Sequence, residues 1–483
     1  MKYYIGLDLG TSGLKGLLVS ADGRIWKEDS ASYPVNYPQS GWSEQNPEDW
    51  LKAATDILAR LAKGVEDEVA GVSIGGQMHG LVLLDGHDEV IRPAILWNDG
   101  RTQKQTDYLN EVIGKTKLDE YTANIAFAGF TAPKILWVKE NEPENFAKIK
   151  KLCLPKDYLA YKLTGVFSTD YSDASGMLLL DVKNKRWSKE MLKICLVKEE
   201  WLPKLYESYE VTGKVKCLPN AIMTAGAGDN AAAAIGTGTV QNGDCNISLG
   251  TSGTVFISGD TFMPSENNAL HSFAHANGKW HLMGCILSAA SANKWWLEDI
   301  LQTKDYDGAT KGVALGENEV FFLPYLMGER SPHNDVNARG AFLGMRANTT
   351  REQMSLAVLE GVAFALRDCV ECARQSGLQI TKATVCGGGA KSAVWKRILA
   401  NVLNVEILSP ETEQGPSYGA AILAMIGAGE FESVEETKKL LKIKEHISPE
   451  SELVKKYETK YQTFRKLYPA LKGVLLNFVK ICK

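Results

Sequence analysis

Short apolar runs broken by glycine open this chain. Residues 2–10, KYYIGLDLG, are β-rich and end at a Gly-Thr-Ser turn. LKGLLVS then supplies a second strand, ADG a turn and RIWKEDSASY a third strand. At residues 244–260 the same grammar returns, because DCNISLGTSGTVFISGD reads strand, Gly-Thr-Ser-Gly turn, strand. The five letters LGTSG thus occur twice, with Thr11 and Thr251 separated by 251 − 11 = 240 positions. Between the copies the pattern predicts helices over 47–63 and 133–140 and short β runs at VAGVSIGG and HGLVLLD. After the second copy, helix-rich segments lead to one more strand–glycine–helix unit, TVCGGGAKSAVWKRILANVL. From Glu430 onward the pattern turns helical and charged, and reads as a solvated helical face.

This order predicts two α/β domains facing a shared cleft, an N-terminal one over residues 1–243 and a C-terminal one over 244–483. A chain of 483 residues is long enough for two or three cores. Its net charge of −4 offers no basic stripe for nucleic acid or an anionic membrane, so neither is expected as a partner. Mean hydropathy is −0.17. No run of 18 apolar residues occurs and the N-terminus lacks the features of a secretory signal, so a cytoplasmic location is expected. Nine scattered cysteines include a single C-x-x-C, Cys369 and Cys372. It falls inside a helical pattern with no second pair, and reads as two ordinary helical cysteines rather than a zinc or redox site.

The candidate chemistry begins with the repeated loop. A glycine-rich turn between strands aims several backbone N–H groups at one anion; the hydroxyls of Thr11 and Ser12 add donors and Lys15 adds charge. Gly-Thr-Ser-Gly is also good hairpin chemistry on its own, but its duplication in one setting favours a pair of phosphate cradles. The copies differ in what precedes them: Asp8 can take a magnesium ion, whereas Ser248 offers no second carboxylate. In GGGAKS, Gly388, Gly389 and Ala390 join a strand to a helix start, where backbone approaches a ligand closely. In AGAGDNAAAAIG, Asp229 is open to two readings, an N-cap and a general base that takes a proton from a substrate hydroxyl. Gln77, Met78 and His79, fenced by Gly76 and Gly80 in GGQMHG, form a candidate polar patch for a polyol.

The LGTSG loops, GWSEQNPEDW, GGQMHG, ILWNDGRT, AGAGDNAAAAIGTG, GERSPHNDVNARG and CGGGAKS run in family order from residue 5 to about 425 and together resemble the FGGY carbohydrate kinases. Within that family GGQMHG and GERSPHNDVNARG are most similar to the members that phosphorylate xylulose. The resemblance implies two actin-like ATPase (ribonuclease H-like) domains with ATP and sugar meeting in the interdomain cleft. It implies transfer of the γ-phosphoryl group of ATP to the 5-hydroxyl of D-xylulose, with Mg²⁺. Carried over residue by residue, Asp229 is the catalytic base, Met78, His79 and Asn230 contact the sugar, and Asp8 faces the metal. Thr11, Ser12 and Lys15 form the first phosphate loop, Thr251 marks the second, and Gly388, Gly389 and Ala390 the adenosine side. A homodimer is expected from the resemblance alone. Two positions depart from the family pattern: Gly75, where relatives often carry serine, and Pro416 in QGPSYGAA, where a small residue is common. Other readings are kinase action on ribulose, gluconate or another polyol, a sugar- or nucleotide-binding regulator without catalysis, and a chaperone-type ATPase.

Overall fold

The computed structural model describes residues 2–411 and 414–481, with side chains described as far as residue 475. The chain builds two seven-stranded mixed sheets. The first contains β1 (Tyr3–Leu9), β2 (Gly13–Ser20), β3 (Ile25–Ser32), β4 (Val69–Gly76), β5 (Val211–Lys214), β6 (Ile222–Thr224) and β7 (Ala227–Gly228). Its order is β5-β6-β4-β1-β2-β3, with β7 extending the run beside β4. β1 pairs antiparallel with β2 and parallel with β4. β1 lies at the sheet centre and is buried almost throughout, whereas β3 alternates half-buried and exposed residues as an edge strand does.

Helix α1 (Pro47–Ala62) starts where Asn46 caps the N–H of Glu48 and proline takes the first helical position. Its apolar face, Trp50, Ala54, Ile57, Leu58 and Leu61, packs under the first sheet, with Ile57 against Gly16 of β2. Helices α2 (Thr131–Asn141) and α3 (Pro155–Thr164) follow, and α4 (Asp229–Gly236) leads out of β7 toward the second sheet.

The second sheet contains β8 (Cys245–Leu249), β9 (Gly253–Gly259), β10 (His271–Ala274), β11 (Trp280–Ile286), β12 (Lys382–Cys386), β13 (Glu406–Pro410) and β14 (Ile443–Ile447). Its order is β10-β11-β9-β8-β12-β13-β14. β8 pairs antiparallel with β9 and parallel with β12, as β1 does with β2 and β4. The helices here are α5 (Ala290–Lys294), α6 (Arg351–Gln375), α7 (Ala393–Leu403), α8 (Gly415–Gly427) and α9 (Ser451–Ile481). Cys369 and Cys372 both lie within α6 with free thiols.

Two helices depart from the expected picture. α8 falls between β13 and β14 of the second sheet in sequence but lies on the first: a Cβ on Gly6 of β1 would come within 1.9 Å of the Ser417 carbonyl oxygen. α8 also crosses α4 at glycine, since a Cβ on Gly419 would meet the Ala232 carbonyl oxygen at 1.7 Å. The charged C-terminal segment is not solvated all round. Tyr457, Tyr461, Phe464 and Tyr468 form a buried stripe along α9, spaced at helical intervals. Lys460 and Tyr457 there both bond buried Glu360 of α6, at 2.6 and 2.9 Å. The charges mask an amphipathic helix.

Candidate active site

The carboxyl ends of β1 and β4, and of β8 and β12, open toward the same cleft, where ligands bind in sheets of this kind. The first hairpin turn is closed by a bond from Gly10 N–H to the Gly13 carbonyl, 3.0 Å. Thr11 is held by three distant segments. Its hydroxyl donates to Gln77 Oε1 at 3.0 Å and accepts from Trp97 Nε1 at 2.9 Å, while its carbonyl accepts from Gln45 Nε2 at 2.7 Å. Gln77 Nε2 in turn donates to Gln45 Oε1 at 3.1 Å. GWSEQNPEDW, GGQMHG and ILWNDGRT, far apart in sequence, therefore meet around one turn. Ser12 at its tip is exposed.

Asp8 stands opposite Lys15 in the β1–β2 register. Lys15 pairs with Glu28 of β3 at 2.9 Å and donates to Gln414 Oε1. Burial, and then the charge of Asp229, push the Asp8 carboxyl up to about 7, against the pull of Lys15. Asp229 is pushed up to about 6 by burial, opposed by two bonds from Asn230 to its Oδ1, from N–H at 2.7 Å and Nδ2 at 3.0 Å. Gly228 occupies the N-cap of α4 and Asp229 is the first helical residue, so its carboxyl is not used as a cap. Neither Asp8 nor Asp229 has a basic ion-pair partner among the described residues. No cluster of three or more His, Cys, Asp or Glu side chains forms a metal cage there either. Two desolvated carboxylates without a direct ion pair among the described residues suit a divalent ion that takes its other ligands from water and phosphate.

The second turn exposes Thr251, whose carbonyl ties it to the start of α5 by accepting from Ala289 N–H at 3.0 Å and Ser291 Oγ at 2.7 Å. Gly387, with φ 90°, lies so close to this turn that a Cβ would meet the Leu249 backbone at 2.9 Å. A cavity of about 720 Å³ is lined by Thr251, Ser291, Tyr306, Gly389 and Trp395, among others. A second, of about 380 Å³, is lined by Asp229, Asn230, Ser248 and Pro416. Gly388 and Lys391 line both, so the two spaces meet at the GGGAKS turn. Ala390 is buried in that turn and lines neither.

On the other side of Asp229 lies the GGQMHG segment. Met78 packs directly beneath Gly228, where an added Cβ would meet its Sδ at 3.0 Å. His79 adopts φ 70° and stacks on Phe130, with ring centroids 4.6 Å apart. Its Nδ1 donates to the Gly176 carbonyl at 2.8 Å, which leaves Nε2 as an acceptor. Burial and the charge of Lys134 push this imidazole down to about 3. Lys134 of α2 is fully buried and spans two carbonyls, those of His79 and Gly129, both at 2.7 Å. It holds the left-handed backbone of His79 in place.

The structure thus brings Asp8, Asp229, Asn230, Met78 and His79 to one side of the cleft, and Thr251, Gly388 and Gly389 to the other. Gln45, Trp97 and Lys391 lie in segments the sequence singles out but carry no role there, whereas Gln77, expected in the polyol patch, bonds Thr11 and Gln45 instead. Lys134 and Phe130 were missed. A lysine amid the apolar run of TAPKILWV was the only signal for Lys134.

Comparison with known proteins bears on this geometry. Residues 3–236 match the N-terminal domain model of the FGGY family of carbohydrate kinases, and residues 245–428 match its C-terminal domain model. The chain is 38% identical over 490 residues to a xylulose kinase of Bacillus subtilis, covering 98% of each. It is 39% identical over 480 residues to a xylulose kinase of Escherichia coli, covering 97% of this chain and 99% of the relative. A solved Brucella ovis sugar kinase, described as a xyloylose kinase, superposes with a TM-score of 0.93 at 39% identity over 98% of this chain and all of that one. A gluconate kinase from Lactobacillus acidophilus superposes with a TM-score of 0.94 at 26% identity, over 99% of each chain.

Proposed function

Because this chain belongs to the FGGY family of carbohydrate kinases, an ATP-dependent sugar kinase by that membership, we propose that its substrate is D-xylulose and its product D-xylulose 5-phosphate. The observation that carries the mechanism is the position of Asp229, half-buried and without a basic ion-pair partner among the described residues, in the space that joins the nucleotide cavity at Gly388 and Lys391. Identity above 35% to two xylulose kinases over nearly the full chain supports the choice of sugar.

In this reading Asp229 accepts the proton of the 5-hydroxyl as that oxygen attacks the γ-phosphorus. The bond from that phosphorus to the β,γ-bridging oxygen breaks, and its electron pair leaves with ADP. Asn230 donates twice to one Asp229 oxygen and so orients the carboxylate. Met78 and His79 shape the sugar side, the His79 Nε2 accepting from a sugar hydroxyl. The turn at Thr11 and Ser12 and the turn at Thr251 present N–H and hydroxyl donors to the phosphates. Lys15 contributes field rather than a free ammonium, being already paired with Glu28. Gly388, Gly389 and Ala390 form the adenosine-side turn. Asp8 is the residue that would hold Mg²⁺, which when bound offsets phosphate charge. Closing the halves excludes water as a competing acceptor. We place the sequence boundary between the halves at Gly243.

ADP release measured with a panel of D-xylulose, ribulose, gluconate and glycerol tests the substrate, and D-xylulose is expected to give the highest kcat/KM. Asp229→Asn is expected to lower kcat by about 10²–10⁴-fold while ATP still binds. A variant turning over at the wild-type rate would remove Asp229 from the mechanism.

A further inference from the structure

The segment GERSPHNDVNARG takes no part in the reaction as described, yet its backbone is unusually well fixed. Glu329 is buried, and its Oε1 accepts from the N–H groups of Leu287 at 2.9 Å and of Arg330 itself at 2.8 Å. Glu329 and Asp335 exchange backbone bonds of 2.9 and 2.8 Å. Ser331 donates its N–H to the Cys285 carbonyl of β11 at 2.9 Å, and its hydroxyl accepts from Cys285 N–H at 3.1 Å. Residue 330 is therefore clamped on both sides against the second sheet. Rigid support of this kind is what a ligand-holding side chain needs.

Its guanidinium, by contrast, has no ion pair and no side-chain hydrogen bond among the described residues. It lies over the ring of Phe127, 5.2 Å from the centroid. Phe127 meets Phe130 at 5.3 Å, and Phe130 is the ring on which His79 stacks. His271 of β10 closes the same group, 5.2 Å from Phe127 and 5.6 Å from Phe130. The positive charge of Arg330 helps hold both His79 and His271 below the ordinary imidazole range, so the cation faces the sugar-side histidine.

We infer that Arg330, carried by the C-terminal half, completes the sugar site from across the cleft and determines specificity. Its guanidinium donates to the two oxygens at the end of the sugar farthest from the 5-hydroxyl, the 1-hydroxyl and the 2-keto oxygen. This rests on the reading of the cleft as a ketose kinase site. The chemistry matches: a guanidinium only donates, a ketone oxygen only accepts, and the planar fork suits two adjacent oxygens. His79, with its free Nε2 lone pair, supplies the acceptor that Arg330 cannot.

The test uses the full chain with Arg330→Met and Arg330→Lys. KM and kcat are measured for D-xylulose and for ATP, together with the inhibition constant of xylitol, the same carbon chain with a hydroxyl at C2. Arg330→Met is expected to raise the KM for D-xylulose about 10- to 100-fold. kcat should stay within a few-fold and the ATP KM should be unchanged. Xylitol affinity should fall by a smaller factor than ketose affinity. Arg330→Lys, which keeps the stem over Phe127 and the charge, should recover part of the ketose KM. An unchanged ketose KM in either variant, or an equal loss for ketose and xylitol, overturns the assignment, as does a loss confined to ATP. Should the wild-type protein prefer another sugar, the substrate reading fails separately. The KM for that sugar in Arg330→Met then decides the role of Arg330 by the same criterion.

Discussion

The carboxyl of Asp229 is raised to about 6, two units above an ordinary aspartate, chiefly because water has been removed from around it. A base must be ionised to act, so kcat/KM for the sugar should be level above this value and fall about tenfold per pH unit below it. The same shift has a sign for stability. A carboxyl whose pKa rises on folding makes the native state bind more protons, so ionising it costs stability as pH climbs from about 4 to about 6. Asp229→Asn, neutral and nearly isosteric, should therefore melt about 2–6 °C above the wild type at pH 8, with the gap closing toward pH 4. Differential scanning calorimetry at both pH values checks this, and a lower melting temperature at pH 8 would mean that the carboxylate stabilises α4. From sequence, cap and base could not be separated, because a helix start invites both. Only the backbone shows that Gly228 takes the N-cap position, while the Asp229 carboxyl accepts from Asn230 alone among the described residues. At this scale the two departures from the family pattern also turn out to be neighbours. A Cβ on Gly75 would meet Pro416 Cβ at 3.3 Å and Ala232 Cβ at 3.0 Å, so each site shapes the room left for the other.

Among the elements, the crossing of α4 and α8 fixes where the base stands. Each helix presents glycine to the other: a Cβ on Gly236 would meet the Gly415 carbonyl oxygen at 2.8 Å, and one on Gly419 would overlap the Ala232 carbonyl oxygen. Gly419→Ala must part the helices, and overpacking of this kind costs about 1–3 kcal/mol. It also shifts the helix whose first residue is Asp229. The expected outcome is a lower melting temperature together with a fall in kcat larger than the change in either KM. A variant with wild-type kcat and melting temperature would show that the crossing tolerates a methyl group. Local elements were legible in the sequence because their causes are local. The two hairpins announced themselves by turn chemistry, and α1 by Asn46, Pro47 and its apolar spacing. The place of α8 was not legible, since its partner strand is met only through a contact between residues as distant as Gly6 and Ser417. The buried stripe of α9 was hidden for a different reason: lysines and glutamates between its aromatic residues dominate any average along the chain.

For the molecule as a whole, the halves are joined firmly on the sugar side. Asn124 donates to the Ser272 carbonyl at 2.9 Å and accepts its N–H at 3.3 Å, and Ser175 Oγ accepts from Ala274 N–H at 3.0 Å. Trp280 Nε1 donates to the Val182 carbonyl at 2.9 Å. All of these reach β10 or β11, the edge of the second sheet, whereas the cavities lie toward β8 and β12. Closure about that edge would bring the two phosphate turns together while leaving the sugar pocket intact. The sequence predicted the shared cleft from the duplication, but not the bonds that tie β10 and β11 to the N-terminal half, because β10 carries no motif.

The return of α8 to the first sheet also has a consequence for biosynthesis. β1 and β4 are among the first strands a ribosome delivers, but the helix that covers one of their faces ends at residue 427. At about 5–20 residues per second, that cover arrives about 10 to 40 s after residue 236 has been made. For that interval the nascent N-terminal half carries an open apolar face at Gly6, Gly71 and their neighbours. Residues 1–243 expressed alone should therefore bind a hydrophobic dye and aggregate, and should be rescued by co-expressing residues 244–483. A soluble fragment that binds no dye would contradict this. In a living cell, the half-finished chain is a natural client for whatever shields nascent polypeptides until the last third is translated.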